Sequence, residues 1–126
     1  MTFEEEANSL IGLPYDAFNA HCWDLVSTLI PNAPRPQGTA KTLTSSVKHF
    51  KKELNAYNLQ EVDNYRNKDI IILGKGDIFF HAGVFYNNGV IHASLYGVVY
   101  QDMSTIKKLY PNIKGLRVWL LLKQTY

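Results

Sequence analysis

The sequence predicts an α+β domain in which N-terminal helices pack on an antiparallel sheet of about five or six strands. Apolar residues recur at helical spacing in the first half of the chain, whereas short β-branched and aromatic runs between turn residues fill the second half. With 126 residues and 46% hydrophobic content, the chain has material for one core. We therefore predict a single domain over residues 1–126.

The first predicted helix covers residues 2–11. Thr2 is suited to cap its start, and the acidic run Glu4–Glu6 matches the positive end of the helix dipole. Gly12 ends the helical pattern and begins a loop of turn-prone residues that runs to Cys22.

The only cysteine of the chain, Cys22, begins the second predicted helix. Apolar residues follow it at helical spacing, and Pro31 ends the pattern; they are Leu25, Val26, Leu29 and Ile30. In a first helical turn, unpaired backbone N–H groups and the helix dipole favour the thiolate, which is the nucleophilic form. The plainer interpretation is a buried cysteine that acts as a small inert hydrophobe.

A loop and a third helix are predicted before the strands begin. Residues 31–38 contain three prolines and a glycine, which excludes regular structure there. Residues 44–57 then place apolar side chains every three or four positions, with lysines on the other side. His49 falls outside the apolar stripe, and we interpret it as a surface histidine.

Strand composition recurs at residues 59–62, 68–73, 78–86, 90–93, 97–101 and 116–122. The run at 68–73 is rich in isoleucine and is followed by glycine, which favours a central strand. The third and fourth strands form a predicted hairpin through Asn87-Asn-Gly89, because these residues tolerate the positive φ of tight turns. A helical turn is predicted at residues 104–110.

The predicted hairpin carries two histidines, His81 and His92, one on each strand. Facing strands bring such side chains within a few ångströms when the register agrees. An imidazole can take a proton from a thiol and return it, so we predict Cys22 as nucleophile, His81 as base and His92 as the group that orients the ring of His81. Each histidine also has a plainer interpretation as a hydrogen-bonded core residue.

Two motifs carry a resemblance to a known family. One is Gly12-Leu-Pro-Tyr15 followed by His21-Cys-Trp-Asp-Leu-Val26, and the other is His81-Ala-Gly-Val-Phe-Tyr-Asn-Asn-Gly-Val-Ile-His92. Together they resemble the motifs of the NlpC-type cell-wall cysteine peptidases, a papain-like family, and most closely its branch in bacteriophage tail-tip proteins.

The resemblance implies a papain-like fold with the nucleophile helix packed on the sheet and a Cys22–His81–His92 triad. Tyr15 matches a family tyrosine that helps to hold the oxyanion or the thiol, and the backbone N–H of Cys22 is the expected second donor. The implied activity is hydrolysis of an amide bond in peptidoglycan stem peptides. No cofactor is implied.

Other functions stay open at this point. A thiol acyltransferase, amidase or deamidase would use the same triad, and a non-enzymatic phage-tail or wall-binding component would keep only the fold. His21 and Asp24 stand where the family usually has aspartate and glycine, so we expect the substrate side of the cleft to differ. His21 also raises the alternative of a zinc site with Cys22, His81 and His92, but no common zinc spacing is present, and we predict no metal.

Charge and N-terminal composition narrow the expected partners. The net charge is +2 with scattered lysines, which gives no indication of nucleic acid. The N-terminal residues lack the basic and apolar regions of a secretory signal, and the apolar runs nearby are too short to cross a membrane. We expect synthesis in the cytoplasm and delivery to the cell wall or periplasm by a phage tail, a virion or a secretion-system carrier, with an immunity or inhibitor protein as a further candidate partner.

Overall fold

The structure, a computed structural model, describes residues 2–14, 22–31, 59–76, 78–94 and 96–118. In this part of the chain the helices are α1 (Phe3–Leu10), α2 (Cys22–Leu29) and α3 (Met103–Leu109). The strands are β1 (Leu59–Val62), β2 (Ile70–Lys75), β3 (Ile78–Tyr86), β4 (Gly89–Ser94), β5 (Gly97–Asp102) and β6 (Asn112–Val118). The predicted α+β class is confirmed.

The six strands form one sheet in the order β1-β6-β2-β3-β4-β5, and every neighbouring pair is antiparallel. Strand β2 is central, as its isoleucine run predicts, because that run can be buried on both faces. The last strand, β6, returns between β1 and β2. The two halves of the sheet are therefore joined by a pairing that is distant in sequence.

The hairpin of β3 and β4 turns at Asn87 and Asn88, which have φ values of 48° and 58°. Two consecutive positive φ values match the twist of the flanking strands, which is why such turns fix a tight hairpin. Tyr86 then pairs with Gly89, and Gly83 pairs with His92. The predicted hairpin is confirmed, and its turn sets which residues of the two strands share a face.

The two faces of the sheet carry separate apolar clusters. On one face, called here the α2 face, Ile70 and Ile72 pack with the α2 residues Leu25, Val26, Leu29 and Ile30. On the other, the α3 face, Ile71 and Leu73 pack with Met103 and Ile106 of α3. Alternation along β2 therefore assigns one helix to each face.

The segment after α1 covers part of the edge of β5. The backbone N–H of Gly12 donates to the carbonyl of Val98 at 2.8 Å, and the N–H of Val98 donates to the carbonyl of Leu13 at 2.9 Å. Gly97 is required at this point, because a Cβ there would lie 2.5 Å from the oxygen of Leu13. Helix α1 itself begins as predicted, with the hydroxyl of Thr2 accepting from the N–H of Glu5 at 3.1 Å.

The other element predictions have mixed outcomes. Helix α3 takes the place of the predicted turn at 104–110, and β6 begins four residues before the predicted 116, because pairing with β2 continues through the polar residues Asn112 and Lys114. The predicted helix at 44–57, with His49, lies outside the described residues, as do most of the predicted loop at 31–38 and the end of the last strand. Within the described residues, no helix is long and apolar enough to span a membrane.

Candidate active site

The predicted histidine pair forms a direct hydrogen bond. The Nε2 atom of His81 lies 2.8 Å from the Nδ1 atom of His92, and the two rings meet edge to face with centroids 4.8 Å apart. His92 is buried, with 2% of its surface exposed, whereas His81 is only partly buried. The pair therefore has a buried inner member and a more accessible outer one.

The local geometry of the hairpin explains why the rings meet. Gly83 is the direct partner of His92, so His81 lies one diagonal step away on the same face, within reach of a ring. A Cβ at Gly83 would lie 3.0 Å from the Cβ of His92 and 2.5 Å from the carbonyl oxygen of Ile91. The glycine thus permits the close approach of the two strands at the histidine pair.

A third polar residue, Gln101 on β5, extends the pair. Its Oε1 atom lies 2.7 Å from the Nε2 atom of His92, so both ring nitrogens of His92 have a partner. Gln101 pairs with Val90 and is one diagonal step from His92 on the next strand. The sequence analysis missed Gln101, although a lone amide in the otherwise apolar and aromatic run Gly97–Gln101 was a usable signal.

Tyr110, which directly follows α3, packs against both rings. Its ring stacks on that of His81 with centroids 5.9 Å apart and an interplanar angle of 23°, and it meets His92 edge to face at 6.2 Å. The backbone N–H of Tyr110 donates to Ile106 at 2.8 Å, which ties the aromatic ring to the end of the helix. Tyr110 therefore restricts rotation of the two imidazoles on the α3 face.

Burial favours the neutral form of both imidazoles. Burial first, and repulsion from a charged His92 second, lower the pKa of His81 to about 3. Burial also lowers the pKa of His92, while the hydrogen bond to Gln101 acts in the opposite direction. At neutral pH, His81 is thus an unprotonated ring that is able to accept a proton, and a thiolate beside it would favour its charged form.

The ring atom of His81 that faces His92 is Nε2. In a Ser-His-Asp triad, by contrast, the orienting group accepts from Nδ1–H of the histidine. In this orientation the ring of His81 stacks on that of Tyr110. Consequently Nδ1 is the ring atom directed away from His92, and the described residues supply no hydrogen bond to it.

Cys22 is the first residue of α2, as predicted, and its helix packs through the α2 face. The side chain of Cys22 and the whole of Tyr15 and His21 lie outside the described residues, as does the side chain of Asp24. The two histidines belong to the α3 face, because their strand neighbours Ala82 and Ile91 lie in the cluster beneath α2. Ala82 thus faces α2. Gly83 lies on the other face and permits the close approach of β4.

The pairing of β3 with β4 stops at Gly83 and His92. Residues 78–82 of β3 continue along β2 alone, and Ala93 and Ser94 of β4 continue along β5 alone. His81 lies immediately past the last pair, beside this opening between the two strands. Helix α2 contacts both strands from the other face of the sheet.

The described residues contain no group of three or more histidine, cysteine, aspartate or glutamate side chains arranged to hold a metal ion. Polar residues at the hairpin turn and at the end of β5 make other hydrogen bonds. Asp102 caps α3 by accepting from the N–H of Thr105 at 2.8 Å, and the carbonyls of Asn87 and Asn88 accept from Tyr100 and from Met103.

Comparisons with known proteins do not assign the chain to a family. No protein-family model matches the chain, and no curated protein matches it. The class that the fold and the site define is an α+β protein with a six-stranded antiparallel sheet and a hydrogen-bonded histidine pair. The expectation of an NlpC-type peptidase accordingly rests on the sequence motifs alone.

Proposed function

We propose that the chain is a papain-like cysteine peptidase of the NlpC type, with Cys22 as nucleophile, His81 as base and His92 as orienting group. The observation that carries the proposal is the 2.8 Å hydrogen bond between His81 and His92 on neighbouring strands. A base held by a buried second group, with its other nitrogen directed elsewhere, is the arrangement that nucleophilic catalysis requires. The position of Cys22 at the start of α2 is the second support.

In this proposal the Nδ1 atom of His81 takes the proton of the Cys22 thiol as the sulfur attacks the carbonyl carbon of an amide. The resulting oxyanion is held by the backbone N–H of Cys22 and by the hydroxyl of Tyr15. His81 then returns the proton to the leaving amine, which leaves a thioester on Cys22. Water, activated by the same imidazole, hydrolyses the thioester and restores the thiol.

The proposed substrate is a stem peptide of peptidoglycan, and this part rests on the resemblance alone. Delivery to the cell wall or periplasm by a phage tail, a virion or a secretion-system carrier belongs to the same proposal. An acyltransferase would pass the acyl group of the thioester to an amine instead of water and so restore the thiol. A deamidase would release ammonia, so product analysis separates these activities.

The test is incubation of the protein with purified muropeptides, with products identified by mass. We expect a cleaved stem peptide that carries one added water, and no cleavage by Cys22→Ala or His81→Ala. His92→Gln should retain more activity than His92→Ala, and both should exceed His81→Ala, because a hydrogen-bond acceptor partly replaces the orienting ring.

The matched control is Tyr96→Ala, since Tyr96 is 95% exposed on the turn between β4 and β5. It should cleave at the wild-type rate. Wild-type turnover by a folded Cys22→Ala variant would contradict the proposal. A product joined to an added amine would assign an acyltransferase instead.

A further inference from the structure

Both ring nitrogens of the buried His92 form hydrogen bonds. Which nitrogen carries the proton therefore depends on both partners. Its Nδ1 faces His81 at 2.8 Å and its Nε2 faces Gln101 at 2.7 Å. A neutral imidazole has one N–H and one acceptor nitrogen, so one contact of His92 must donate and the other must accept. The group at the end of the chain therefore decides the direction of both hydrogen bonds.

We propose that Gln101 is a positioning residue that fixes the proton order of the His81–His92 pair, a role that rests on the proposed peptidase function. With its carbonyl toward His92, Gln101 accepts from Nε2–H, which leaves Nδ1 of His92 to accept from Nε2–H of His81. The Nδ1 atom of His81 then carries a lone pair. This is the state in which His81 can take a proton from a thiol.

The reverse order would disable the site. If the amide –NH₂ of Gln101 faced His92, then Nε2 of His92 would accept and Nδ1–H would donate to His81. His81 would then carry its proton on Nδ1, the atom directed away from the pair, and would be unable to act as a base there. Glutamine supplies both a donor and an acceptor, so the side on which its oxygen lies has a chemical consequence.

The fold holds Gln101 in place on both sides. Strand β5 pairs with β4 through Val90 and Gln101, and its outer edge is bonded to the Gly12–Leu13 segment at Val98. The next residue, Asp102, caps α3. The side chain therefore extends from a strand whose backbone is fixed at three points, as a positioning role requires.

Ring-¹⁵N NMR of histidine-labelled protein tests the proposal, because the two neutral tautomers differ in their nitrogen shifts. Gln101→Glu is the decisive variant, since a carboxylate accepts hydrogen bonds and enforces Nε2–H on His92. We expect wild type and Gln101→Glu to show the same tautomer on both rings. Opposite tautomers in the wild type would overturn the proposal.

The second part of the experiment removes the side-chain carbonyl of Gln101, which accepts from His92. In Gln101→Leu the His92 tautomer should become mixed, and muropeptide kcat should fall roughly tenfold with little change in KM, as loss of one hydrogen bond implies. Gln101→Glu should recover part of kcat. The matched control is Gln60→Leu, the same change on an exposed position of β1, which should alter neither measurement.

An unchanged tautomer population in Gln101→Leu would also overturn the assignment. The NMR arm needs no substrate, so it decides the role of Gln101 even if the wild-type protein cleaves no muropeptide. Absence of cleavage by the wild-type protein would count against the proposed function and not against the proton order.

Discussion

Among the described residues, two buried polar clusters of the sheet differ in whether each polar atom has a hydrogen-bond partner. Asp69, directly before β2, accepts from Nε of Arg117 at 2.9 Å on one oxygen; the other oxygen accepts from Nη2 of Arg117 at 2.8 Å and from the N–H of Arg66 at 2.7 Å. The second cluster, called here the histidine chain, is the hydrogen-bonded series Gln101–His92–His81. It ends at Nδ1 of His81, for which the described residues supply no hydrogen-bond partner. A closed cluster stabilises the fold, whereas an open one has an atom available for chemistry.

The closed cluster joins strands that are distant in sequence. Arg117 lies on β6, and its Nη2 also donates to the carbonyl of Asn64 at 2.9 Å. The hydrogen bond to Asp69 raises the pKa of Arg117, so the cation is favoured. Asp69 is 2% exposed, and an unpaired charge at that depth would be costly. The ion pair therefore holds β6 in its place beside β2.

The largest expected effect comes from opening the closed cluster. Asp69→Ala leaves the Arg117 cation without its carboxylate and should lower the free energy of unfolding by about 3–5 kcal/mol, measured by urea denaturation. The matched control is Glu61→Ala, which removes the exposed ion pair with Lys114 (3.1 Å) and should cost about 0–1 kcal/mol. Equal losses in the two variants would contradict the structural role of Asp69.

A smaller effect is expected from crowding the open cluster. In Gly83→Ala the new Cβ would meet the carbonyl oxygen of Ile91 at 2.5 Å, so β4 must shift at a cost of about 1–3 kcal/mol. That shift should separate His81 from His92 and abolish muropeptide cleavage. Gly76→Ala is the control, because Gly76 has φ +59° with open space around it and tests backbone strain alone.

Gly76→Ala should lower the free energy of unfolding by roughly 1–2 kcal/mol and leave muropeptide cleavage unchanged. Full activity in a folded Gly83→Ala variant would contradict the link between strand spacing and the histidine pair.

The smallest expected effect is a pH dependence of stability. Because burial lowers the pKa of His81 to about 3 and also lowers that of His92, the unfolded chain binds protons below pH 6.5 that the folded chain does not. Stability should therefore fall as the pH falls from about 6.5 toward 3. The lowered pKa of His81 accounts for about 1 kcal/mol between pH 6.5 and pH 5.5, and His92 adds to the loss in the same direction. Urea titrations at both pH values measure this.

Replacement of His92 by Gln removes one titrating ring and should reduce that acid sensitivity. If the variant and the wild type lose the same stability between the two pH values, the buried ring of His92 is not its source.

The parts of the site that were predictable depend on local signals. The Asn87-Asn-Gly89 turn fixes the register of β3 and β4, and the period of two then places His81 and His92 on one face. Gln101 was not predictable in the same way, because its contact with His92 depends on the register of β5 against β4. The choice of Nε2 on His81 depends on a ring rotamer, which the sequence does not encode locally.

The fold likewise has features that local sequence signals predict and features that depend on contacts between distant residues. The strand content of the second half and both helix starts, at Phe3 and at Cys22, follow from composition and periodicity. The insertion of β6 between β1 and β2 does not, since it depends on contacts such as Asp69–Arg117 between residues far apart in the chain.

The most direct test of the central claim, that the open end of the histidine chain serves the thiol of Cys22, is the pH dependence of iodoacetamide alkylation. A thiolate and an imidazolium stabilise each other and titrate as a pair, so the wild-type thiol should show an apparent pKa well below the roughly 8.5 of a free cysteine. In His81→Ala the apparent pKa should rise toward that value. An identical alkylation profile in the two proteins would contradict the claim, because it would show that His81 does not act on Cys22.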